Sequence, residues 1–283
     1  MVKQFSEGEA ILVLGAAGGI GSAVASYAAR EGARLYLVDL GTALDGSGRD
    51  PRKVAEVAGS LRGLGVEVHA EALDLRDPQA VVAAIHHCVD AFGRVDAIIQ
   101  CAGIHQESPV QRLDAALVER TLDLSIRLAL RLIQEGSRVF IESKRTGSIT
   151  LSLGAEAFVG AARKAHLAVA SGALYGLIRS AAIDLRRWSV RINGVVPTAR
   201  TRANEDHPLF RGIHPGSLQP ESVAPLYLYL ASSLASEISG EVLGIAGERI
   251  HAFGSRESPG VRFEPNTMSI REIARRFNEI ADF

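Results

Sequence analysis

Three glycines with a tight spacing could hold the phosphates of a nucleotide. Gly15, Gly19 and Gly21 stand in LGAAGGIG, directly after the apolar run Ile11–Leu14 and at the start of a helical pattern. Glycines in such a turn let the backbone approach a pyrophosphate, and the free N–H groups and dipole at a helix start stabilise its charge. The pattern predicts a dinucleotide site, and the alternative is a glycine turn that binds no ligand.

An acidic residue ends the next apolar run. Asp39 follows Arg34–Val38, eighteen residues after Gly21, where a carboxylate can accept hydrogen bonds from the ribose hydroxyls of a bound adenosine. The same charge repels a 2′-phosphate, and residues 16–18 of the loop include no cation to bind one. We therefore expect NAD as the cofactor, and the alternative for Asp39 is a solvated acid at a strand end.

The elements that must position these residues alternate along the chain. Short runs rich in Val, Ile and Leu alternate with longer helical patterns, which is typical of a parallel sheet covered on both faces. This predicts an α/β fold: one doubly wound Rossmann domain over residues 1–247 with a seven-stranded parallel sheet, then a C-terminal helical extension over residues 248–283. The expected strands are Ile11–Leu14, Arg34–Val38, Glu67–Ala70, Asp96–Gln100, Ser148–Leu153, Val190–Val195 and Val242–Ala246.

The extension carries the pattern of a terminal amphipathic helix. Ser269 and Glu272 fit a capping box at its start. The apolar residues that would share one face are Ile270, Ile273, Ala274, Phe277 and Ile280.

Two central helical stretches indicate contacts beyond the sheet. Residues 113–134 alternate apolar and charged positions on more than one face, and His166–Ile178 contains no Asp, Glu, Lys or Arg. A helix that is apolar all round must be covered on both sides, and the sheet can cover only one. Either the loop Glu205–Pro220 covers the second side or another subunit does. We expect a homo- or hetero-oligomer, a tetramer, through residues 113–134 and 166–186.

The composition excludes several classes of partner. Lys and Arg number 31 against 32 Asp and Glu, so no overall field attracts nucleic acid or an anionic membrane. Two cysteines cannot form a disulfide framework, the first residues lack the profile of a secretory signal, and no long run is apolar throughout. We expect a cytoplasmic protein without nucleic-acid or membrane partners. No metal site is expected, because the adjacent His86 and His87 diverge on a helix.

Several motifs together make the sequence resemble the short-chain dehydrogenase/reductase (SDR) family over nearly all of residues 8–247. The acid that contacts adenine in the family resembles Asp74 in ALDLRD, and the Asn-Asn-Ala-Gly turn appears as QCAG at 100–103. The IRVNxVxPG segment appears as VRINGVVPT at 190–198. The resemblance implies cofactor contacts at Gly15, Gly19, Ile20, Gly21, Asp39, Leu40, Asp74, Leu75, Ala102, Gly103 and Pro197.

Two stretches resemble a narrower branch of that family. VDLGTALDGSG at 38–48 and PTARTRANE at 197–205 are similar to the dehydrogenase part of peroxisomal multifunctional enzymes. That branch oxidises 3-hydroxyacyl-CoA thioesters. The resemblance therefore implies an acyl-CoA-like small molecule as substrate.

The family's proton-transfer residues are missing from this sequence. The family uses a Tyr as proton donor or acceptor, a Lys four residues on, a Ser that polarises the substrate oxygen and a supporting Asn. No Tyr here is followed four residues later by Lys. Counting from the strands on either side places Gly154, Leu167 and Ser171 at the Ser, Tyr and Lys positions. The family's Asn in the preceding helix falls on Ser125, in LDLSIRL.

Other polar residues near these positions could replace the missing relay. Ser152 lies two residues before Gly154 on the same strand face. The other candidate acids and bases are Lys164, His166, Glu156 and His105, and Cys101 could supply a thiol. Each is otherwise read as an ordinary packed or surface residue.

One pair copies the family's spacing at the wrong place. Tyr175 and Arg179 give Tyr-x-x-x-cation, but they lie eight residues beyond the family positions, about 12 Å along a helix. We expect this pair to miss the reacting part of the cofactor.

Three functions remain open from the sequence. The first is an NAD-binding subunit that does no hydride chemistry itself and assembles with an active SDR partner. The second is an active NAD-dependent oxidoreductase of a hydroxyacyl or oxoacyl thioester with another acid or base. The third is a lyase or dehydratase that reuses the pocket without redox chemistry.

Overall fold

The structure is a computed structural model, and it describes residues 8–202, 204, 210, 212–214, 216–265 and 267–282. The strands within these residues form one sheet. Eight strands lie within these residues. They are β1 (Ala10–Leu14), β2 (Arg34–Val38), β3 (Val68–Glu71), β4 (Ala97–Gln100), β5 (Gly147–Ser152), β6 (Val190–Thr198), β7 (Val242–Ala246) and β8 (Arg249–Phe253).

The strand order confirms the doubly wound α/β fold. It is β3-β2-β1-β4-β5-β6-β7-β8, and every pair from β3 to β7 is parallel. The chain winds outward from β1 to β3 in one direction and from β4 onward in the other. Such a reversal leaves a crevice at the carboxyl ends of β1 and β4. The predicted dinucleotide loop follows β1 and therefore opens into this crevice.

The eighth strand corrects the predicted count of seven. β8 begins three residues after β7 ends, in the segment that we assigned to the extension. A connection this short allows only antiparallel pairing. The strand escaped prediction because it lies at the edge of the sheet, and its sequence RIHAF is mostly exposed and lacks a continuous apolar run.

Helices cover both faces of the sheet, and their buried apolar side chains form its two cores. The helices α1, α2 and α8 pack on one face, and α3, α5 and α7 pack on the other. The described helices are α1 (Gly19–Arg30), α2 (Arg52–Arg62), α3 (Pro78–Phe92), α4 (Ala115–Leu122), α5 (Leu128–Glu142), α6 (Glu156–Val159), α7 (Ala165–Leu185), α8 (Ala224–Ala231), α9 (Ile270–Arg275) and α10 (Phe277–Ile280).

The predicted stretch 113–134 is not one regular helix. A π-helical turn, Asp123–Arg127, separates α4 from α5, and α5 continues to Glu142. Such turns widen the helix by one residue and are frequent at functional sites. Ser125 lies within this turn.

The predicted helix 166–186 is present as α7, with one apolar face left open. Its buried side chains include Leu174 and Ile178, and it packs along β6. Val169 and Ile183 on the other side are 62% and 76% exposed. Of the loop Glu205–Pro220, residues 205–209, 211 and 215 lie outside the described residues. By length and composition alone, Ala165–Trp188 is also long and apolar enough to cross a membrane.

The chain divides into a compact unit that ends at Ala252 and a second that begins at Phe253, whereas the sequence placed the boundary at 247/248. In the second unit, the Ser269 hydroxyl accepts a hydrogen bond from the Glu272 N–H, as the capping box predicts. The prediction of a single amphipathic helix is wrong, because Arg276 separates α9 from α10. The Arg276 guanidinium binds Glu279 and lies over the Phe263 ring.

Candidate cofactor cleft and catalytic pocket

The parallel pairing of β1 and β4 brings two loops together at the crevice. Leu14 pairs with Gln100, and the Cys101 N–H donates a hydrogen bond to the Leu14 carbonyl at 2.8 Å. Gly15 then lies against the backbone of Ala102, so closely that a Cβ on Gly15 would overlap it. Gly15 also has a φ of +82°, which favours glycine. No other residue type fits this position without moving one loop.

The start of α1 is equally crowded. A Cβ on Gly21 would overlap the Gly15 carbonyl, and a Cβ on Gly19 would lie 2.8 Å from the Thr201 methyl carbon. The absence of side chains leaves the N–H groups of the first helical turn open to the crevice. These residues therefore form a cradle of the kind that fits a pyrophosphate.

Asp39 is held at the edge of this cradle. Its carboxylate accepts hydrogen bonds from the Ala17 N–H at 2.9 Å and from the Gly41 N–H at 2.6 Å. Each carboxylate oxygen can accept more than one hydrogen bond, so both can still bind a ribose hydroxyl. The structure thus brings Asp39 and the glycine loop together, as the sequence predicts.

A cleft of about 240 Å³ runs along these residues. It is lined by Gly15, Gly19, Ile20, Gly21, Asp39, Leu40, Asp74, Leu75, Ala102 and Gly103, which are all the predicted cofactor contacts except Pro197. Pro197 lines the cavity next to it.

The loop after Asp39 also lines the cleft, which the sequence analysis missed. Thr42, Leu44 and Gly46 face it, and the His105 N–H donates to the Leu44 carbonyl at 2.8 Å. Thr201 and Arg202 line the opposite side. The glycines of 38–48 were a signal for a special loop conformation, but its position over the cleft depends on this long-range hydrogen bond.

Asp74 lies in the cleft with a partner of its own. The Arg76 guanidinium donates to both carboxylate oxygens, at 2.8 Å and 2.6 Å, and lowers the pKa of Asp74. This pairing fixes the carboxylate of Asp74 within the cleft.

A second cavity of about 340 Å³ adjoins the cleft along Ile20 and residues 101–105. It is lined by the four positions that the resemblance assigns to catalysis, Ser125, Gly154, Leu167 and Ser171. The structure therefore brings these four together at one pocket. None of them carries a phenol or an ammonium group.

Ser152 lines the same cavity, but its hydroxyl is engaged. Its Oγ donates to the Gln100 carbonyl at 2.8 Å and lies 2.7 Å from the Tyr227 hydroxyl. Tyr227 is fully buried, burial raises its pKa well above the usual value, and it lines neither cavity. This phenol is therefore a core residue that cannot reach a substrate.

The other predicted substitutes are divided between pocket and core. Lys164 lines the cavity, with its ammonium 3.6 Å from a Glu107 carboxylate oxygen. His166 is buried outside the cavity lining, and its Nε2 lies 2.9 Å from the Gln106 carbonyl. His105 lines both cavities. Of the three, Lys164 and His105 are placed to meet a ligand.

Tyr175 and Arg179 do not contribute to the pocket. Tyr175 packs edge-on against Phe158, and the Arg179 guanidinium lies 5.8 Å from the Tyr175 ring centre. Neither residue lines the two cavities. The pair is a packing contact, as its distance along the helix predicts.

Cys101 and the histidine pair show no sign of special chemistry. Burial raises the pKa of the Cys101 thiol to about 12, which disfavours a reactive thiolate. His86 and His87 contact different carboxylates, Glu135 and Glu71. The described residues contain no group of three His, Cys, Asp or Glu side chains that could hold a metal ion.

Glu156 is the cavity residue whose position the sequence analysis missed. Its carboxylate occupies the space that a side chain on Gly154 would need. The absence of a side chain at 154 was the available signal, but only the three-dimensional turn between β5 and α6 shows which group fills the space.

A family model described as enoyl-(acyl carrier protein) reductase matches residues 15–247. The L-rhamnose 1-dehydrogenase (NAD(P)(+)) of Azotobacter vinelandii is 30% identical, over 84% of this chain and 94% of that protein. The chain belongs to the short-chain dehydrogenase/reductase family. It is of the NAD(P)-dependent oxidoreductase type, and the cradle around Gly15 is the candidate cofactor site.

Two further proteins are similar to this SDR chain. One is the (5R,7aS)-5-hydroxy-7a-methyl-1-oxo-2,3,5,6,7,7a-hexahydro-1H-indene-carboxyl-CoA reductase of Mycobacterium tuberculosis, which is 28% identical over 85% of this chain and 92% of that protein. The other is the crystal structure of a short chain dehydrogenase from Mycobacterium avium, with a TM-score of 0.83 and 22% identity. It covers 99% of this chain and 95% of that one, and confirms the fold.

The crowding at Gly15 predicts the effect of one methyl group on cofactor binding. Gly15→Ala adds a Cβ at positive φ, which strains the backbone by about 1–3 kcal/mol, and pushes it against Ala102. We expect NADH binding, measured by fluorescence titration, to weaken roughly tenfold or more. The matched control is Gly59→Ala on the exposed side of α2, where nothing lies within 4 Å. Equal NADH affinity in both variants would contradict the assignment of the cradle.

Proposed function

We propose that this SDR chain binds NAD but does not run the family's phenol–ammonium proton relay, and that it works as a subunit beside an active SDR partner. The observation that carries the proposal is the lining of the second cavity by Ser125, Gly154, Leu167 and Ser171, the four positions that the resemblance assigns to catalysis. Removing one acid or base typically slows such a reaction on the order of 10²- to 10⁴-fold. Loss of the whole set leaves a binding site without a proton donor or acceptor of the usual kind.

NAD is the proposed form of the cofactor. The Asp39 carboxylate lines the cleft, and an acid at the end of the second strand would accept hydrogen bonds from the adenosine ribose and repel the 2′-phosphate of NADP. Arg202 and Arg76 also line the cleft, and the Arg76 guanidinium is engaged by Asp74. Asp39 is therefore the residue that supports NAD over NADP.

A 3-hydroxyacyl-CoA thioester or its oxo form is the proposed ligand of the second cavity. Support comes from the similarity of 38–48 and 197–205 to the hydroxyacyl-CoA branch and from the coenzyme A thioester named in the M. tuberculosis relative. Apolar side chains such as Leu153, Leu174 and Phe210 line this cavity and suit an acyl group.

The partner is proposed to dock on α5 and α7. Leu130 on α5 and Val169 and Ile183 on α7 are large apolar side chains that are more than half exposed. Contact with a second subunit would remove this surface from water. The second subunit is either an identical chain or a catalytically active SDR relative. The proposed assembly is a tetramer.

An active dehydrogenase with a different acid or base is the second candidate. Glu156 and Lys164 favour it, because both line the cavity and both can exchange a proton. The isolated chain decides between the two candidates, since an active enzyme needs no partner for turnover.

The isolated chain should bind NADH without catalysing oxidation. We expect NADH to raise its melting temperature and change its fluorescence, and NADPH to do so at higher concentration. With NAD and 3-hydroxybutyryl-CoA, we expect turnover at least about a hundredfold below that of an ordinary SDR enzyme. Turnover at the ordinary rate would contradict the proposal, and absence of NADH binding would contradict the cofactor assignment.

Restoring the relay should create activity only if Glu156 is also removed. Gly154→Ser, Leu167→Tyr and Ser171→Lys rebuild the family's Ser, Tyr and Lys, but a side chain at 154 overlaps the Glu156 carboxylate. We therefore expect the triple variant to stay weak and the quadruple variant with Glu156→Ala to gain roughly a hundredfold in NAD reduction. The comparison of the two variants is the control. Equal activity of both would show that Glu156 does not obstruct the rebuilt site.

Docking through α7 predicts that a charged side chain placed on its exposed apolar face weakens the association of subunits. At micromolar concentration we expect sedimentation to show an oligomer, and Val169→Asp to shift it toward the monomer. The matched control is Leu64→Asp, since Leu64 is also exposed but follows α2. A wild-type chain that sediments only as a monomer would overturn self-association through this face.

A further inference from the structure

A carboxylate occupies the place of the family's substrate-polarising hydroxyl. A Cβ built on Gly154 would overlap both side-chain oxygens of Glu156. Glu156 comes from the next element, at the start of α6, and lines the second cavity together with Ser171. The cavity has therefore not lost a polar group at this point but has exchanged a hydroxyl for a carboxylate.

The carboxylate is held in place by the residue at the former lysine position. The Ser171 Oγ accepts a hydrogen bond from the Gly154 N–H at 2.9 Å and donates one to Glu156 Oε1 at 3.3 Å. Ser171 is buried on α7, so this chain of contacts is fixed by packing. A Lys at 171 could not make the same bridge between a backbone N–H and a carboxylate, because an ammonium group does not accept hydrogen bonds.

No cation neutralises Glu156 within the part of the chain that the structure describes. Its one described hydrogen-bond donor is Ser171, and none of the described Lys, Arg or His side chains forms an ion pair with it. Lys164 lines the same cavity but pairs with Glu107. The second oxygen of Glu156 is thus available to a ligand.

The chemical consequence concerns which form of a ligand fits. A serine hydroxyl can donate to a carbonyl oxygen or accept from an alcohol, whereas a carboxylate only accepts. A ligand hydroxyl meets an acceptor here, but a ligand carbonyl meets a second oxygen that repels it. Leaving a buried polar group without a partner weakens binding by roughly 10- to 100-fold.

We propose that Glu156 makes the second cavity selective for the hydroxy form of its ligand over the oxo form. This inference rests on the proposed function for the class of ligand, a 3-hydroxyacyl or 3-oxoacyl thioester. It adds a preference that the proposed function does not contain: the chain binds the alcohol more tightly than the ketone. Glu156 and Ser171 are the residues that determine this preference, with Ser171 as the positioning residue.

The test measures binding and does not need turnover. Isothermal titration of the NADH-loaded chain with 3-hydroxybutyryl-CoA and with acetoacetyl-CoA gives two dissociation constants, and we expect the hydroxy ligand to bind roughly 10- to 100-fold more tightly. In Glu156→Gln, whose amide also donates, the ratio should fall to near one. Glu142→Gln on the exposed end of α5 makes the same chemical change far from the cavity and should leave the ratio unchanged.

The other possible results of this titration also support or overturn the proposal. Equal binding of both ligands to the wild-type chain, or a ratio that Glu156→Gln leaves intact, would overturn the selectivity. Glu156→Ala gives a second reading if Glu156→Gln does not fold. Consumption of NADH by acetoacetyl-CoA would contradict the non-catalytic role but not the preference. If NADH binds and neither thioester does, the ligand class fails and this inference fails with it.

Discussion

The close approach of Gly15 to the backbone of Ala102 is the constraint on which the site depends. It follows from the parallel pairing of β1 and β4, where the Cys101 N–H binds the Leu14 carbonyl. Two loops that leave neighbouring parallel strands must separate or lose their side chains at the point of contact. Here the glycines remove the side chains, and the first turn of α1 opens to the crevice. Asp39 then has a fixed position because the Ala17 N–H of this turn donates a hydrogen bond to its carboxylate.

The crevice keeps the family's residues at its cofactor end but not at the end where the reaction would occur. At the cofactor end, all the predicted cofactor contacts except Pro197 line one cleft, from Gly15 to Asp39 and Asp74. At the chemical end, the cavity is intact and the polar groups have changed. Proton transfer during hydride exchange needs an acid or a base near the substrate oxygen. Gly154 and Leu167 supply none, and Glu156 supplies an acceptor that Ser171 holds in place.

Much of this molecule could be predicted from its sequence because its determinants are local. The strand runs, the glycine spacing and the carboxylate after β2 each lie within a few residues of one another, and all seven predicted strands are present. The elements that were missed depend on distant contacts. β8 is defined by its pairing at the sheet edge. The position of Glu156 is of the same kind, since spacing alone cannot show that its side chain turns back over Gly154.

The central claim is that the reacting end of the cofactor faces small and apolar side chains and one carboxylate. A crystal structure of the chain with NAD bound tests it most directly, by showing which groups surround the nicotinamide ring. The account predicts Gly154, Leu167, Ser171 and the Glu156 carboxylate on the substrate side of the ring. A tyrosine hydroxyl and a lysine ammonium within hydrogen-bond distance of the ring or its ribose, from any part of the polypeptide, would contradict it.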